Sequence, residues 1–320
     1  MSEDRKDVTP SKSSVEPGVS RRRFIQSSAV AGMAASISTR AKAQGAANDE
    51  ITVGILGCGA QGQTLMQSAL PIPGIKFVAV CDIWASMNLR RVSKTLGYKG
   101  HPVNTYEDYR EMLDKEPDMD AVLIATPDFW HAPHTVACLD AGKAVYCEKM
   151  MANTIEGARS MVEAAKDPNR ILQIGHQRRS NPRYRNLLEN LVRQDALGRI
   201  THASAQWNRS KSSSEIKPVK QKYEIDAAKL ATYGFDNMKE FLNWRWFRKY
   251  SGGIISDLGA HQIDIFNWFL DAVPSSVVAS GGTDYYEGNE HYDNIMAIYE
   301  YSTAKGHKRM LGQVHMWDNA

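Results

Sequence analysis

The chain has 320 residues, 42% hydrophobic and 23% charged, enough to bury a core in two modest domains. Its formal charge of +3 is unevenly placed. Residues 1–43 hold eight Lys/Arg and four Asp/Glu of totals of 39 and 36, which leaves 31 against 32 beyond them. The basic surplus belongs to the N-terminal segment, and the remainder offers no basic field for nucleic acid.

Within that segment, Ser20-Arg21-Arg22-Arg23-Phe24-Ile25 matches a twin-arginine export signal. Residues 25–37 are mildly apolar, and Ala41-Lys42-Ala43 puts small residues at the two positions a signal peptidase reads. A membrane anchor fits poorly, because spanning takes about 20 strongly apolar residues. Residues 1–43 are therefore expected to be a signal peptide that uses the twin-arginine machinery, with the mature chain periplasmic or otherwise exported. Cys58, Cys81, Cys138 and Cys147 show no metal-ligand spacing and are expected as buried free thiols.

Residues 44–176 read as a dinucleotide-binding domain. A β-rich run at 51–56 leads into Gly57-Cys58-Gly59-Ala60-Gln61-Gly62, a helical stretch at 63–69, and a second β run at 76–81 that ends on Asp82. Gly57 permits the tight turn, Gly59 lets backbone approach a pyrophosphate, and Gly62 permits close helix–strand packing. The helix N-terminus, with Ala60 and Gln61, presents free N–H groups to the phosphates. Asp82 can accept from the adenosine ribose hydroxyls and would repel a 2′-phosphate, which favours NAD over NADP. Arg90 and Arg91, a little downstream, read as a solvated helix face. Buried strands at 121–125 and 144–147 run into Thr126-Pro127-Asp128 and Glu148-Lys149, with a helix expected over 134–141 between them. Near-continuous apolar strands separated by helices predict a parallel sheet covered on both faces, with ligands beyond the strands' carboxyl ends. Thr126, Pro127, Glu148 and Lys149 fall there.

With the glycine turn, Thr126-Pro127, Glu148-Lys149 and Gly252-Gly253-x-x-x-Asp257-x-Gly259-x-His261-x-x-Asp264, the sequence resembles the Gfo/Idh/MocA (glucose–fructose oxidoreductase/inositol dehydrogenase/rhizopine catabolism) family from about residue 51 to at least 270. Met150 stands where that family usually has proline. The resemblance implies an α/β fold: a Rossmann-type parallel-sheet domain, then an α/β domain over 177–320 whose open, mainly antiparallel sheet holds a sugar, cyclitol or related substrate. It also implies a homo-oligomer, dimer or tetramer, and matches Lys149, Asp257 and His261 to the family's catalytic positions.

Their chemistry suits that assignment. Moving a hydride from a secondary alcohol requires removal of the hydroxyl proton, and His261 has an ordinary pKa near working pH. Asp257, four residues earlier, would share its helical face and orient the imidazole. Lys149 would balance negative charge developing on the reacting oxygen. His131 is expected either near the nicotinamide or as a loop cap. Arg178 and Arg179 could face the cleft or be surface charges. Trp207 and the Trp244-Arg245-Trp246-Phe247 run are candidates for a sugar-stacking wall, with Arg178, Trp207 and Trp246 the chosen substrate contacts beside Asp257 and His261. His202, His291, His307 and His315 lack metal spacing, and no catalytic metal is expected.

Further along, a helix is expected over 186–193, a strand over 199–207, a long polar loop over 210–222, a helix over 257–271, and strands over 276–280, 294–301 and 308–317. The chain stops at Ala320 just after an apolar strand, where the resemblance implies more sheet and a C-terminal helix, as in a truncated reading frame. The leading function is an exported NAD-dependent sugar or polyol dehydrogenase, with NAD held tightly because free NAD is scarce outside the cytoplasm. A glycosidase that works by transient oxidation and elimination is the alternative, and a non-enzymatic nucleotide sensor is a third.

Overall fold

The computed structural model describes residues 50–209, 216–304 and 310–318. The twin-arginine segment, residues 210–215 of the polar loop, His307 and the side chain of His315 lie outside the described residues.

Strand β1 (Ile51–Leu56) is the hydrophobic centre of a six-stranded parallel sheet. Its neighbours are β2 (Ile75–Cys81) and β4 (Ala121–Ile124), and the sheet is completed by β3 (Asn104–Tyr106), β5 (Ala144–Glu148) and β6 (Leu172–Gly175). The spatial order is β3-β2-β1-β4-β5-β6, the doubly wound order in which ligands sit where the winding reverses. Alternate side chains supply the two faces. Val53, Ile55, Phe77 and Val80 face one core with Leu65 and Leu96; Leu56, Val122, Ile124 and Val145 face the other with Met112, Leu139 and Met161. The covering helices are α1 (Ala60–Ala69), α2 (Arg90–Tyr98), α3 (Tyr109–Lys115), α4 (Asp128–Asp140) and α5 (Ile155–Ala164). Two starts differ from expectation. Helix α1 begins at Ala60, directly after the glycine turn, and α4 begins six residues early, because Pro133 sits inside the helix rather than marking its boundary.

Beyond β6 come the short helices α6 (Gln177–Ser180) and α7 (Pro182–Leu187), then β7 (His202–Arg209). The second sheet has the order β7-β10-β9-β8, with β8 (Pro274–Gly282), β9 (Asn294–Tyr301) and β10 (Met310–Asp318). Pairs β8/β9 and β9/β10 are antiparallel and β10/β7 is parallel, so the sheet is mainly antiparallel as expected. One face is covered by the segment that runs through a wide π-turn (Ile255–Gly259) into helix α10 (Ala260–Leu270). Leu258 and Phe266 pack there on Ala297, Tyr299 and Tyr301.

Between β7 and that helix, residues 219–250 fold back over the first sheet. Helices α8 (Ala227–Thr232) and α9 (Met238–Asn243) bring Leu230, Phe235 and Met238 against Ile83, Trp84, Phe129 and Trp130. Polar contacts stitch the joint: Trp84 Nε1 donates to the Tyr223 carbonyl at 2.6 Å, Trp130 Nε1 to that of Tyr233 at 3.0 Å, and Tyr233 Oη to that of Glu107 at 3.0 Å. Lys229 adds an ion pair with Glu107. All four cysteines are free and buried.

Candidate active site

A cleft of about 830 Å³ runs along the carboxyl ends of the parallel strands, from Asp82 to His261. Its floor is the glycine turn. Gly57 adopts φ +95°, and a Cβ there would lie 2.6 Å from the Ala125 carbonyl carbon. At Gly62 a Cβ would lie 2.0 Å from the Gly57 oxygen, so that glycine is what lets α1 close on its own turn. Gly59 differs: nothing in the protein comes nearer than 4.0 Å to its absent side chain. It caps α1 without a side-chain hydrogen bond and faces open cleft, the arrangement a pyrophosphate needs at a helix N-terminus. Asp82 closes this end. Its carboxylate accepts from the Cys58 and Trp84 backbone N–H groups, both at 2.7 Å, and two oxygens still leave lone pairs for ribose hydroxyls. Burial raises its pKa. Arg90 and Arg91 are exposed and do not line the cleft.

In the middle, Thr126, Pro127 and Asp128 follow β4. His131 is buried, with Nε2 2.8 Å from the Thr126 carbonyl oxygen and Nδ1 2.5 Å from that of Met150. It therefore ties the two strand-end loops together; burial lowers its pKa. The Lys149–Met150 peptide is cis. Glu148 is buried, and its carboxylate accepts from Gln61 Nε2 at 2.8 Å, from Gln177 Nε2 at 2.8 and 2.9 Å, and from the Lys149 N–H at 3.2 Å. Gln61 thus links the glycine turn to the loop that carries Lys149.

At the far end, Lys149 Nζ donates to the Asp257 carbonyl at 2.6 Å and to its Oδ1 at 2.9 Å, with both side chains 14% exposed. His261 stacks on Trp207, ring centres 5.3 Å apart and 23° between planes. Its Nδ1 is buried with no hydrogen-bond partner. The expected carboxylate-to-imidazole bond is thus replaced. Asp257 sits in the π-turn, where the wider winding breaks the four-residue face, and Lys149 claims its carboxylate, with Arg245 Nε at 3.5 Å. Burial, then the charges of Lys149, Arg178 and His176, against Asp257, lower the His261 pKa to about 4. Across the cleft, burial first and Asp257 second raise Asp128 to about 7, against Arg245 and Lys149.

The arginine pair separates by role. Arg179 forms a fork on Asp264, at 2.7–3.0 Å, whereas Arg178 lies with Cζ 5.2 Å over Trp207 and lines a second cleft of about 640 Å³. The two clefts share Trp207 and His261. Trp246 is a correction. The 3₁₀ turn Trp244–Trp246 directs it into the core of the second sheet, 4% exposed, while Trp244 and Arg245 line the cleft. Gln177, in the run 175–179 that sequence directs toward the cleft, does line it, whereas Asp128 and the wall formed by Trp84, Tyr233, Phe235 and Phe241 are not evident from sequence. The repeated aromatics in 219–250 were the available signal.

Two family models cover most of the chain. Residues 51–176 match the NAD-binding Rossmann fold of the Gfo/Idh/MocA oxidoreductases, and residues 186–315 match the Gfo/Idh/MocA C-terminal domain. The chain belongs to the Gfo/Idh/MocA family. Among similar proteins, the levoglucosan dehydrogenase of Pseudarthrobacter phenanthrenivorans is 25% identical over 256 residues, which is 73% of this chain and 57% of that one. Glycosyl hydrolase family 109 protein 2 of Shewanella sp. is 28% identical over 216 residues, 59% of this chain and 46% of that one. The chain spans about half the length of the curated relatives it matches. The crystal structure of myo-inositol 2-dehydrogenase from Lactobacillus plantarum superimposes with TM-score 0.65 at 20% identity, covering 85% of this chain and 70% of that one. That likeness establishes the Gfo/Idh/MocA fold.

Proposed function

We propose that this family member is an NAD-dependent oxidoreductase that moves a hydride between a nicotinamide and a secondary alcohol of a sugar, inositol or related polyol. The observation that carries the reading is the meeting of Lys149, Asp257 and His261 at one end of a cleft whose other end is the glycine turn. Bound NAD would supply the hydride acceptor; the protein's own residues must take the hydroxyl proton and steady the oxygen left behind. Burial and neighbouring cations keep His261 neutral at pH 7, with a lone pair to accept that proton. Lys149, fixed by Asp257, donates to the reacting oxygen, and Asp257 acts by holding the ammonium in place. Glu148 and His131 position the Lys149 loop, while Gly59, Ala60, Gln61 and Asp82 would hold the nucleotide. Asp82, with Arg90 and Arg91 outside the cleft, supports NAD over NADP.

The twin-arginine grammar of residues 20–25 supports export. An exported enzyme would hold its NAD and recycle it between substrates, and the aromatic wall from 219–250 supports retention. The exposed Val278, Met296 and Ile298 on the outer face of the second sheet support a sheet-to-sheet oligomer. A second reading, transient oxidation followed by elimination of a glycoside, is favoured by one observation. That route needs another acid–base group beside His261, and Asp128 lines the same cleft with its pKa near neutrality. The deciding experiment is a screen of sugars, inositols and glycosides on the purified protein, following NADH absorbance and released aglycone together. NADH formation supports the dehydrogenase, aglycone release without net NADH supports the second reading, and neither signal from any compound would sink both.

A further inference from the structure

Two arginines at the Lys149 end of the cleft are built alike. Arg245 rests with Cζ 4.2 Å from the centre of the Trp244 ring and Nε 3.5 Å from Asp257 Oδ1. Arg178 rests on Trp207, the ring that stacks on His261. Arg245 opens into the larger cleft and Arg178 into the smaller, and the two clefts meet at Trp207 and His261. Among the described residues, neither guanidinium donates a hydrogen bond to a side chain or carbonyl, although Arg245 is ion-paired with Asp257. Arg179 spends its fork on Asp264, Arg170 bonds Asp140, and Arg193 bonds Glu189.

The acids nearby are already engaged. Glu148 is covered by Gln61 and Gln177, and Asp257 is held at 2.9 Å by Lys149 and more loosely, at 3.5 Å, by Arg245. Asp82 belongs to the opposite, nucleotide end. Asp128, across the same cleft, is pushed up to about 7 by burial and so carries only part of a charge near neutrality, which leaves Lys149 and Arg245 facing Asp257 as the full charges around the imidazole. His261 feels this imbalance, with Lys149, Arg178 and His176 acting against Asp257 alone. A planar guanidinium laid on an indole loses little freedom when it binds, and its fork matches a carboxylate edge to edge.

We propose that Arg245, seconded by Arg178, reads a carboxylate on the substrate, so that the alcohol oxidised belongs to an acidic sugar of the uronate type rather than to a neutral one. The inference rests on the hydride-transfer reading above for its chemistry but not for its binding test.

The test uses the full chain loaded with NAD and compares glucuronate, its methyl ester and glucose. Binding is followed by tryptophan fluorescence, since Trp244 and Trp207 lie beneath the two arginines, and turnover by NADH absorbance. Glucuronate is expected to bind about 10- to 100-fold more tightly than its ester or glucose, the range of one charge-assisted hydrogen-bonded pair. Arg245→Gln should collapse that ratio, mainly through KM; Arg178→Gln should reduce it less, and Arg245→Lys should restore part of it. The ester comparison needs no variant, so an Arg245→Gln protein that failed to fold would leave the test intact. Equal binding of acid and ester, or an unchanged ratio in a folded Arg245→Gln, overturns the proposal. So does loss of NAD rather than glucuronate from that variant. Binding of glucuronate without NADH would uphold the proposal and count against the hydride-transfer reading, whereas NADH from glucose with no preference for the acid would do the reverse.

Discussion

Lys149 is where the chemistry is most exposed to test. Its ammonium is held by one residue, Asp257, through both carbonyl and carboxylate, so removing it deletes a donor without opening the nucleotide end of the cleft. Lys149→Ala is expected to lower hydride transfer by about 10²- to 10³-fold, the usual effect of removing one preorganised donor, with NAD still bound. Near-normal turnover on the NAD-loaded variant would remove Lys149 from the mechanism. That pairing also shows what sequence spacing hides. Lys149 and Asp257 are 108 residues apart, and nothing in either segment announces the other. The short spacing of Asp257 and His261 was visible and pointed to a hydrogen bond that the π-turn and Lys149 pre-empt. The arginines differed again: Arg178 and Arg179 are equivalent in sequence, and only Asp264 decides which one is left for the cleft.

At the scale of elements, the parallel sheet was legible because its central strands β1, β4 and β5 are near-continuous apolar runs, mostly buried, whereas the polar, exposed edge strand β3 (Asn104–Tyr106) gave no such signal. The glycine turn was legible because each glycine has a separate steric task. Those tasks can be separated. Gly62→Ala would push a methyl to 2.0 Å from the Gly57 oxygen, so the turn must move. It should lower both thermal stability and NAD affinity. Gly59→Ala meets no protein atom nearer than Asn88 Nδ2 at 4.0 Å and should melt near wild type while binding NAD more weakly. Calorimetry of each variant with and without NAD checks the pair; a Gly59→Ala protein that binds NAD as well as wild type would remove the pyrophosphate from that position. Elements with little periodicity were the ones missed. Helices α8 and α9 are six residues each, too short to show an amphipathic repeat, and Pro133 concealed the first turns of α4. Trp246 was misjudged for a related reason: three adjacent large residues in a 3₁₀ turn point in different directions, and sequence does not say which points inward.

The whole molecule should respond to pH through groups buried in their neutral forms. Burial lowers the pKa of His134 to about 3 and of His261 to about 4 and lowers that of His131 as well, whereas their unfolded value is about 6.5. A depressed folded pKa gives stability that is present above the unfolded value and lost as pH falls toward the folded one. Stability should therefore decline from about pH 6.5 toward about pH 4 as these histidines come to favour the unfolded chain. Asp128 acts in the opposite sense: raised to about 7, its contribution is present at low pH and lost as pH rises through that value. Thermal melts from pH 4 to 8 should show the histidine slope prevailing, and His134→Gln should flatten it; an unchanged slope would locate the acid sensitivity elsewhere. One joint bears on how such a protein could be re-engineered. Ile83, Trp84, Phe129 and Trp130, from the first half, are covered by residues from 219–250. Cut between β6 and β7, the first half would expose those aromatics and lose the cleft wall that Tyr233, Phe235 and Phe241 supply. A chimera that grafts another relative's sheet onto this nucleotide half to change substrate choice should therefore keep 219–250 with the first half, because the natural seam for recombination runs through space rather than along the chain.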